Sequence, residues 1–218
     1  MDLADIAAAL ADRTRARMLE ELLAGPPLPA GALAARVGVA PSTASGHLAK
    51  LERAGLVTIE RHGRRREARL ASPQVAEALE ALGRLAGDDA RPIGLRAVNA
   101  RAALHEARSC YDHLAGRAGV ALTDRLIAHG ALVEHDGAFS VPPSAFSLYR
   151  DRFGIDPASL TGRRPLARAC SDWTERRPHL AGALGASLLD AMLRAGWLTR
   201  RPDSRALNIT ARGRTELG

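Results

Sequence analysis

Between Ala30 and Leu70 the chain is punctuated so closely that few folds can accommodate it. A short helical stretch over about 30–36 is followed by Val37-Gly38-Val39-Ala40, then by a second stretch that Pro41 can open and Gly55 can close. Proline suits a first helical turn because the N–H it lacks would be unpaired there, and glycine takes the left-handed conformation that ends a helix. Inside the second helix Ala44, Leu48 and Leu51 recur at i, i+4 and i+7, the spacing of one buried stripe. That stripe turns Ser42, Thr43, Ser45, Gly46, His47 and Lys50 sideways or outward. Beyond Gly55, Leu56 to Glu60 reads as a strand, the arginine-rich His62 to Arg66 as a turn, and Glu67 to Leu70 as a returning strand. Two short helices on a four-residue turn, followed by a hairpin, form a helix-turn-helix with a wing, whose second helix fits a DNA major groove.

The flanks are helical. Met18, Leu19, Leu22 and Leu23 fall at helical spacing within residues 3–24, with a break expected near Asp12-Arg13-Thr14 and Thr14 as the N-cap. Gly25-Pro26-Pro27 stops that segment, and a further helix is expected from Pro73 to Ala86. Gly87 to Pro92 then reads as a linker, which sets the first domain at residues 1–86.

Charge supports a polyanionic partner. Of 218 residues, 31 are basic and 24 acidic, with Lys50 the only lysine, so arginine carries nearly all the positive charge. From Arg36 to Arg69 eight basic residues face three acids, Glu52, Glu60 and Glu67, and four of the eight are Arg61, Arg64, Arg65 and Arg66. Guanidinium groups fork onto phosphates and base edges. The small hydroxyls of Ser42, Thr43 and Ser45 can approach DNA closely at the positive end of the helix dipole. The expected DNA-binding set is therefore Ser42, Thr43, Ser45, His47, Lys50, Arg61, Arg64, Arg65 and Arg66. No apolar run is long enough for a transmembrane helix. The acidic start, Asp2 and Asp5, lacks the basic residues of a secretory signal, and two cysteines are too few for a disulfide scaffold. Those features suggest a cytoplasmic protein without a membrane partner.

Ala8 and Leu10 with Ala11-Asp12-Arg13-Thr14-Arg15, then Ser42-Thr43-Ala44-Ser45-Gly46-His47-Leu48, Leu51, and Ala54-Gly55-Leu56-Val57 before Arg61-His62-Gly63-Arg64 together resemble the ArsR/SmtB family over about residues 1–85. The resemblance implies a bacterial winged-helix repressor, a homodimer that releases DNA on binding an inducer. It also implies a dimer interface made by the first helix and the helix after the wing. The family's metal sites do not carry over. Pro29 to Arg36 has no thiol, carboxylate or imidazole, and Pro73 to Leu82 offers Glu77 and Glu80 but no histidine. No metal site is assigned on this basis and the cofactor stays unknown, so sensing is expected in the C-terminal half.

That half, residues 93–218, contains an internal repeat. His113-Leu114-Ala115-Gly116 recurs as His179-Leu180-Ala181-Gly182, and the same offset of 66 relates Gly119 to Gly185, Leu122 to Leu188, Asp124 to Asp190, Gly130 to Gly196 and Leu132 to Leu198. The copies span about 110–141 and 170–209 and read as helix, glycine cap and strand, with Leu95 to Gly116 helical before them. Trp197 to Arg201 and Ala206 to Ile209 are expected to pair as a second wing, and Thr210 to cap a closing helix. The fold class is mainly α with small β wings (α+β): an N-terminal winged helix-turn-helix followed by duplicated winged-helix-like units.

Cys110-Tyr111-Asp112-His113 and Cys170-Ser171-Asp172-Trp173 with His179 are the polar clusters of the repeat, a cysteine followed in each by an aspartate two positions on. Cys110, His113, Cys170, Asp172 and His179 form the candidate effector or thiol site. Thiolate and imidazole together suit Zn²⁺ or a softer ion, although neither Cys-x2-His nor Cys-x8-His is a familiar metal spacing. Two packed cysteines with satisfied histidines, a thiol switch, and an organic pocket lined by Trp173, Trp197, Tyr111, Tyr149 and Phe146 are the competing readings. A Cys170–Asp172–His179 catalytic set is the enzyme alternative, but sequence proximity does not establish geometry, no phosphate-cradling glycine loop is present, and the chain is expected not to be an enzyme. These features converge on a sequence-specific DNA-binding regulator. It is expected to be a dimeric repressor on an inverted-repeat operator, released by a small effector sensed in the C-terminal half, with a metal- or thiol-responsive mechanism through Cys110 and Cys170 as the alternative.

Overall fold

A computed structural model describes residues 2–23, 27–62, 65–86, 95–201 and 204–217. The chain forms two compact units, residues 1–79 and 80–218. The division falls inside a helix rather than in the expected linker, which lies outside the described residues.

In the first unit α1 (Leu3–Leu10) begins with a reciprocal cap: Asp5 N donates to Asp2 at 2.9 Å and Asp2 N to Asp5 at 3.1 Å. The expected break after it is present, but α2 (Arg13–Leu22) is capped by Asp12 rather than Thr14. The Asp12 carboxylate accepts from Arg15 N at 2.9 Å, which satisfies one of the orphan amides, whereas Thr14 is already inside the first turn. A two-residue strand β1 (Leu28–Pro29) leads to α3 (Ala30–Val37), a turn through Gly38 at φ 76°, and α4 (Pro41–Arg53) with Pro41 in its first turn. Strands β2 (Val57–His62) and β3 (Arg65–Leu70) form the wing, and α5 (Pro73–Ala86) follows it. The sheet order is β1-β3-β2. Both wing strands run further into the arginine stretch than expected, because Arg61 pairs with Arg66 and His62 with Arg65 in register. Ala44, Leu48 and Leu51 of α4 are buried with Met18, Leu19, Leu22, Leu33, Val57 and Leu70. Each such leucine contributes about 1.5–3 kcal/mol by leaving water.

In the second unit α6 (Leu95–Glu106) stops ten residues short of the expected Gly116. Strands β4 (Arg108–Cys110) and β5 (His113–Ala115) follow as a hairpin, then α7 (Arg117–Ala128) and a second hairpin of β6 (Val133–His135) and β7 (Ala138–Ser140). A 3-10 turn, α8 (Phe146–Phe153) and another 3-10 turn lead into the second copy. That copy comprises β8 (Arg168–Ser171), β9 (Pro178–Ala181), α9 (Gly182–Arg194), β10 (Leu198–Arg201) and β11 (Ser204–Ile209), and α10 (Ala211–Leu217) closes the chain. Thr210 caps α10 as expected, accepting from Gly213 N at 3.0 Å.

Each repeat is therefore hairpin, helix, hairpin, and the first opening hairpin is what the expected 95–116 helix concealed. Arg108, Ser109 and Cys110 are buried and pair with residues 113–115, while Ala206 of β11 pairs with Arg108 to give the sheet order β10-β11-β4-β5. Such pairing is set by distant partners, which local propensity does not register. The two copies interlock. Helix α9 packs on β5 as well as β9, and α7 on β9 as well as β5. A Cβ on Gly119 would lie 2.5 Å from Leu114 O, and one on Gly185 2.5 Å from Leu180 O. Glycine at these repeat-related positions is thus the condition for seating each helix on its hairpin.

Candidate functional site

On α4, Ser42, Thr43, Ser45, Gly46 and Lys50 are exposed. The Ser45 hydroxyl donates to Pro41 O at 2.9 Å, which keeps its lone pairs available to a donor outside the helix. Gly46 costs about 1 kcal/mol relative to alanine in a helix interior, yet a Cβ there would meet nothing within 4 Å. Packing therefore does not require it, whereas close approach by a large partner would. His47 lies sideways rather than outward: its side chain is 16% exposed and its Nδ1 lies 3.8 Å from the α2 cap, Asp12, without a hydrogen bond.

On the wing, Arg61 and Arg66 are exposed and face one another across the strands. Like charges in that position repel, and no acidic residue stands directly across from either arginine in the ladder. Arg69, further back, is paired with Glu60. Arg64 lies outside the described residues, and Arg65 is the first residue of β3.

A second constellation lies inside the C-terminal unit. Cys110 stands directly across from His113 in the β4–β5 hairpin, and Cys170 directly across from His179 in β8–β9. Cross-strand partners share a face of the hairpin, so each hairpin presents one thiol and one imidazole together. Strands β5 and β9 lie against each other and bring the two faces into contact. Cys110 Sγ is 3.9 Å from Cys170 Sγ, and His113 Nε2 is 3.1 Å from His179 Nε2. One donor atom from each of the four residues lies within 4.8 Å of the other three, and all four side chains are buried. The thiols are free.

A carboxylate stands behind each imidazole. His113 Nδ1 is 3.3 Å from Asp112 Oδ1, and Asp112 is gripped by both Nη atoms of Arg164. Burial would raise the Asp112 pKa, but the bonds from Arg164 and His113 bring it down to about 2. His179 Nδ1 lies 3.2 Å from Asp172 Oδ2 in a close but poorly aligned contact. Asp172 accepts from Gly116 N at 2.7 Å and from Arg108 Nη2 at 2.9 Å. Arg108 is itself enclosed. It donates to Thr174 Oγ1 at 3.0 Å, lies 5.0 Å above the Trp173 ring and sits 3.7 Å from the buried Glu80. Against the cost of burial, His179 and Arg108 hold Asp172 well below the usual carboxylate range, and Asp172 and Cys170 hold His179 above the ordinary imidazole value. The contact with Cys170 raises the Cys110 thiol, while the reciprocal bond from Cys110 and those of His113 and His179 lower Cys170.

Four of the five grouped residues thus converge on one point, and Asp172 takes its place behind His179. Asp112, quoted in the first polar cluster but left out of the candidate set, completes the arrangement with Arg164, and Arg108 joins it without a signal in the sequence. The recurring Cys-x-Asp was the available signal, since Asp112 and Asp172 each stand two residues after their cysteine. Two of the five aromatic residues considered for an organic pocket are core side chains. Tyr149 is fully buried with its hydroxyl donating to Ala131 O, and Trp197 packs on Phe153 in the core. On the surface of this unit Arg177 is paired with Asp124 at 2.9 and 2.6 Å. Among the described residues no helix is long and apolar enough to cross a membrane.

A helix-turn-helix domain family matches residues 10–60. Over 214 residues the chain is 41% identical to YdfF of Bacillus subtilis (strain 168), an uncharacterised HTH-type transcriptional regulator, covering 98% of this chain and 94% of that protein. Among solved structures, the homodimeric winged helix-turn-helix DNA-binding domain of Mb0332 from Mycobacterium bovis, a possible ArsR-family regulator, is 30% identical. That match covers 41% of this chain and 82% of the other at a TM-score of 0.38. The cadmium sensor CMTR from Mycobacterium tuberculosis is 37% identical, covering 43% of this chain and all of the other at a TM-score of 0.34. Identity maintained across nearly the full length of a relative is decisive: the chain belongs to the HTH-type transcriptional regulators, with its helix-turn-helix domain in the N-terminal part.

Proposed function

We propose that the chain acts in the cytoplasm as a homodimeric repressor, each protomer laying α4 in the major groove of one half-site of an inverted repeat. Ser42, Thr43 and Ser45 meet bases and nearby phosphates. Lys50, Arg61, Arg64, Arg65 and Arg66 hold the backbone, and His47 steadies α4 against Asp12. The observation that carries this reading is the exposed Arg61–Arg66 pair at the end of the wing, an arrangement that repels itself until an anion lies between the two groups. Exposed leucines support the second copy: Leu3 of α1 is 81% exposed and Leu85 of α5 84% exposed, on the two helices that the family resemblance assigns to dimerisation. The effector response belongs to residues 80–218, since the segments that hold metal in smaller relatives of this kind lack the necessary side chains.

The test is a salt titration of binding to duplexes from the region upstream of the chain's own gene. Each phosphate contact contributes about 0.9 to the slope of log affinity against log salt. Replacing Arg61 and Arg66 by alanine should therefore lower the slope by about 2 per protomer and weaken specific and random duplexes alike. Replacing Ser42 and Thr43 by alanine should instead reduce the preference for the specific duplex. An unchanged slope in the arginine variant would remove the wing from the interface.

A further inference from the structure

The geometry points to a Zn²⁺ site made by Cys110, His113, Cys170 and His179, a pin between the two copies of the repeat. Zinc takes thiolate sulfur at about 2.3 Å and imidazole nitrogen at about 2.0 Å in a tetrahedron, whose edges are then ~3.8 Å between sulfurs and ~3.3 Å between nitrogens. The observed separations are 3.9 Å and 3.1 Å. No ordinary packing arrangement requires both matches at once.

The surrounding groups argue the same way. Both histidines turn Nε2 toward the centre and Nδ1 toward an aspartate. A metal-bound imidazole is normally supported in this way, with the carboxylate fixing its tautomer and orientation. Without a cation, two Nε2 atoms 3.1 Å apart can share at most one proton between them. Two thiolates balance the charge of Zn²⁺, so the loaded site is neutral and suits an interior where the four residues are at most 4% exposed. All four positions are filled by the chain, and a closed tetrahedral set is the mark of a structural rather than a catalytic zinc.

The site also explains the interlocked repeat. Each copy contributes one thiol and one imidazole from its opening hairpin, so neither copy has a complete ligand set alone. Zinc holds β4–β5 against β8–β9, where the hydrogen-bonded ladders of the two hairpins are separate. A disulfide does not account for the arrangement, because it would need the sulfurs at about 2.05 Å and would leave the two inward-facing imidazoles unexplained.

The full chain, purified without chelator, should carry one zinc per chain by elemental analysis. Exchange for Co²⁺ should produce the intense visible ligand-field bands of a four-coordinate ion with a near-ultraviolet thiolate charge-transfer band, and Cys170→Ser should cut that band by about half. Should Cys170→Ser fail to fold, Asp112→Asn tests the same site more gently. Its zinc affinity in chelator competition should fall by about 10–100-fold, as expected for loss of an outer partner of a ligating histidine. Folded wild-type chain that lacks zinc and takes up no Co²⁺ would overturn the assignment. So would an intact mass two daltons low that reports a Cys110–Cys170 disulfide, or a weak six-coordinate cobalt spectrum.

Discussion

The two copies of the C-terminal repeat share every feature that closes the buried cluster and differ in how they support it. Gly116 and Gly182 both take positive φ, at 78° and 90°, where a Cβ would press on backbone oxygens at 2.8 Å. Gly119 and Gly185 both admit a helix onto its hairpin, and a cysteine faces a histidine in each. The hairpin loops are unlike. In the first copy Asp112 lies within a two-residue turn and is 33% exposed, with Arg164 as its partner. In the second, the loop is six residues long and Asp172 is fully enclosed with Arg108. The same task, aiming an imidazole, is performed once at the rim and once in the core. Geometry has been duplicated, and the energetic weight has not.

Replacing each aspartate by alanine should expose that inequality, and gives the largest effect expected here. Asp172→Ala removes the partner of a guanidinium with no access to water, a loss that costs about 3–5 kcal/mol when a buried pair is broken. It also deprives Gly116 N of its acceptor. Asp112→Ala breaks a part-exposed pair with Arg164, worth about 0–1 kcal/mol. Urea denaturation of the zinc-loaded chain measures both. Equal losses would show that the enclosed network is no more important than the exposed one.

The glycines should behave as a matched pair. Gly119→Ala and Gly185→Ala each force a methyl against a backbone carbonyl, and overpacking of this kind costs about 1–3 kcal/mol. Gly185 should be the more sensitive, because its Cβ would also meet His113 Cβ at 3.3 Å, against 3.7 Å from Gly119 to His179. Thermal unfolding of the two variants tests the ranking. A negligible effect at both would mean that the helices can slide on their hairpins, and the pseudo-symmetric packing would lose its basis.

This contrast also separates what was legible in the sequence from what was not. The reader domain could be traced from Pro41, Gly55 and the Ala44-Leu48-Leu51 stripe because each acts on its own neighbourhood. The offset of 66 revealed the duplication for the same reason, as identical local grammar leaves identical residues. The first opening hairpin was hidden because Arg108-Ser109-Cys110 follows an alanine-rich helix and becomes strand only through partners at residues 113–115 and 206. Ligand spacing was concealed by register: Cys-x2-His and Cys-x8-His look unrelated in sequence, yet both place a thiol across a ladder from an imidazole. His47 was read as a base contact because the i, i+4, i+7 pattern gives direction around a helix, and it says nothing of Asp12 capping another helix nearby.

The smallest effect concerns the loops themselves. Each opening hairpin contains one residue other than glycine with positive φ, Tyr111 at 61° and Arg176 at 56°. Holding an L-residue there costs about 1–2 kcal/mol, and glycine would remove that strain while losing about 0.5–1 kcal/mol through the greater freedom of the unfolded chain. Tyr111→Gly and Arg176→Gly should therefore each stabilise the protein by a few tenths to about 1 kcal/mol, read as a small rise in Tm. The consequence for the cluster should differ between them. Tyr111 is joined directly to both Cys110 and Asp112, so a glycine there loosens the turn that keeps thiol and imidazole in register. Arg176 lies three residues before His179, in a loop anchored by Asp172. Metal affinity should consequently fall in Tyr111→Gly despite the higher Tm and stay unchanged in Arg176→Gly. A parallel response of the two variants would mean that the short loop has no special part in presenting the ligands.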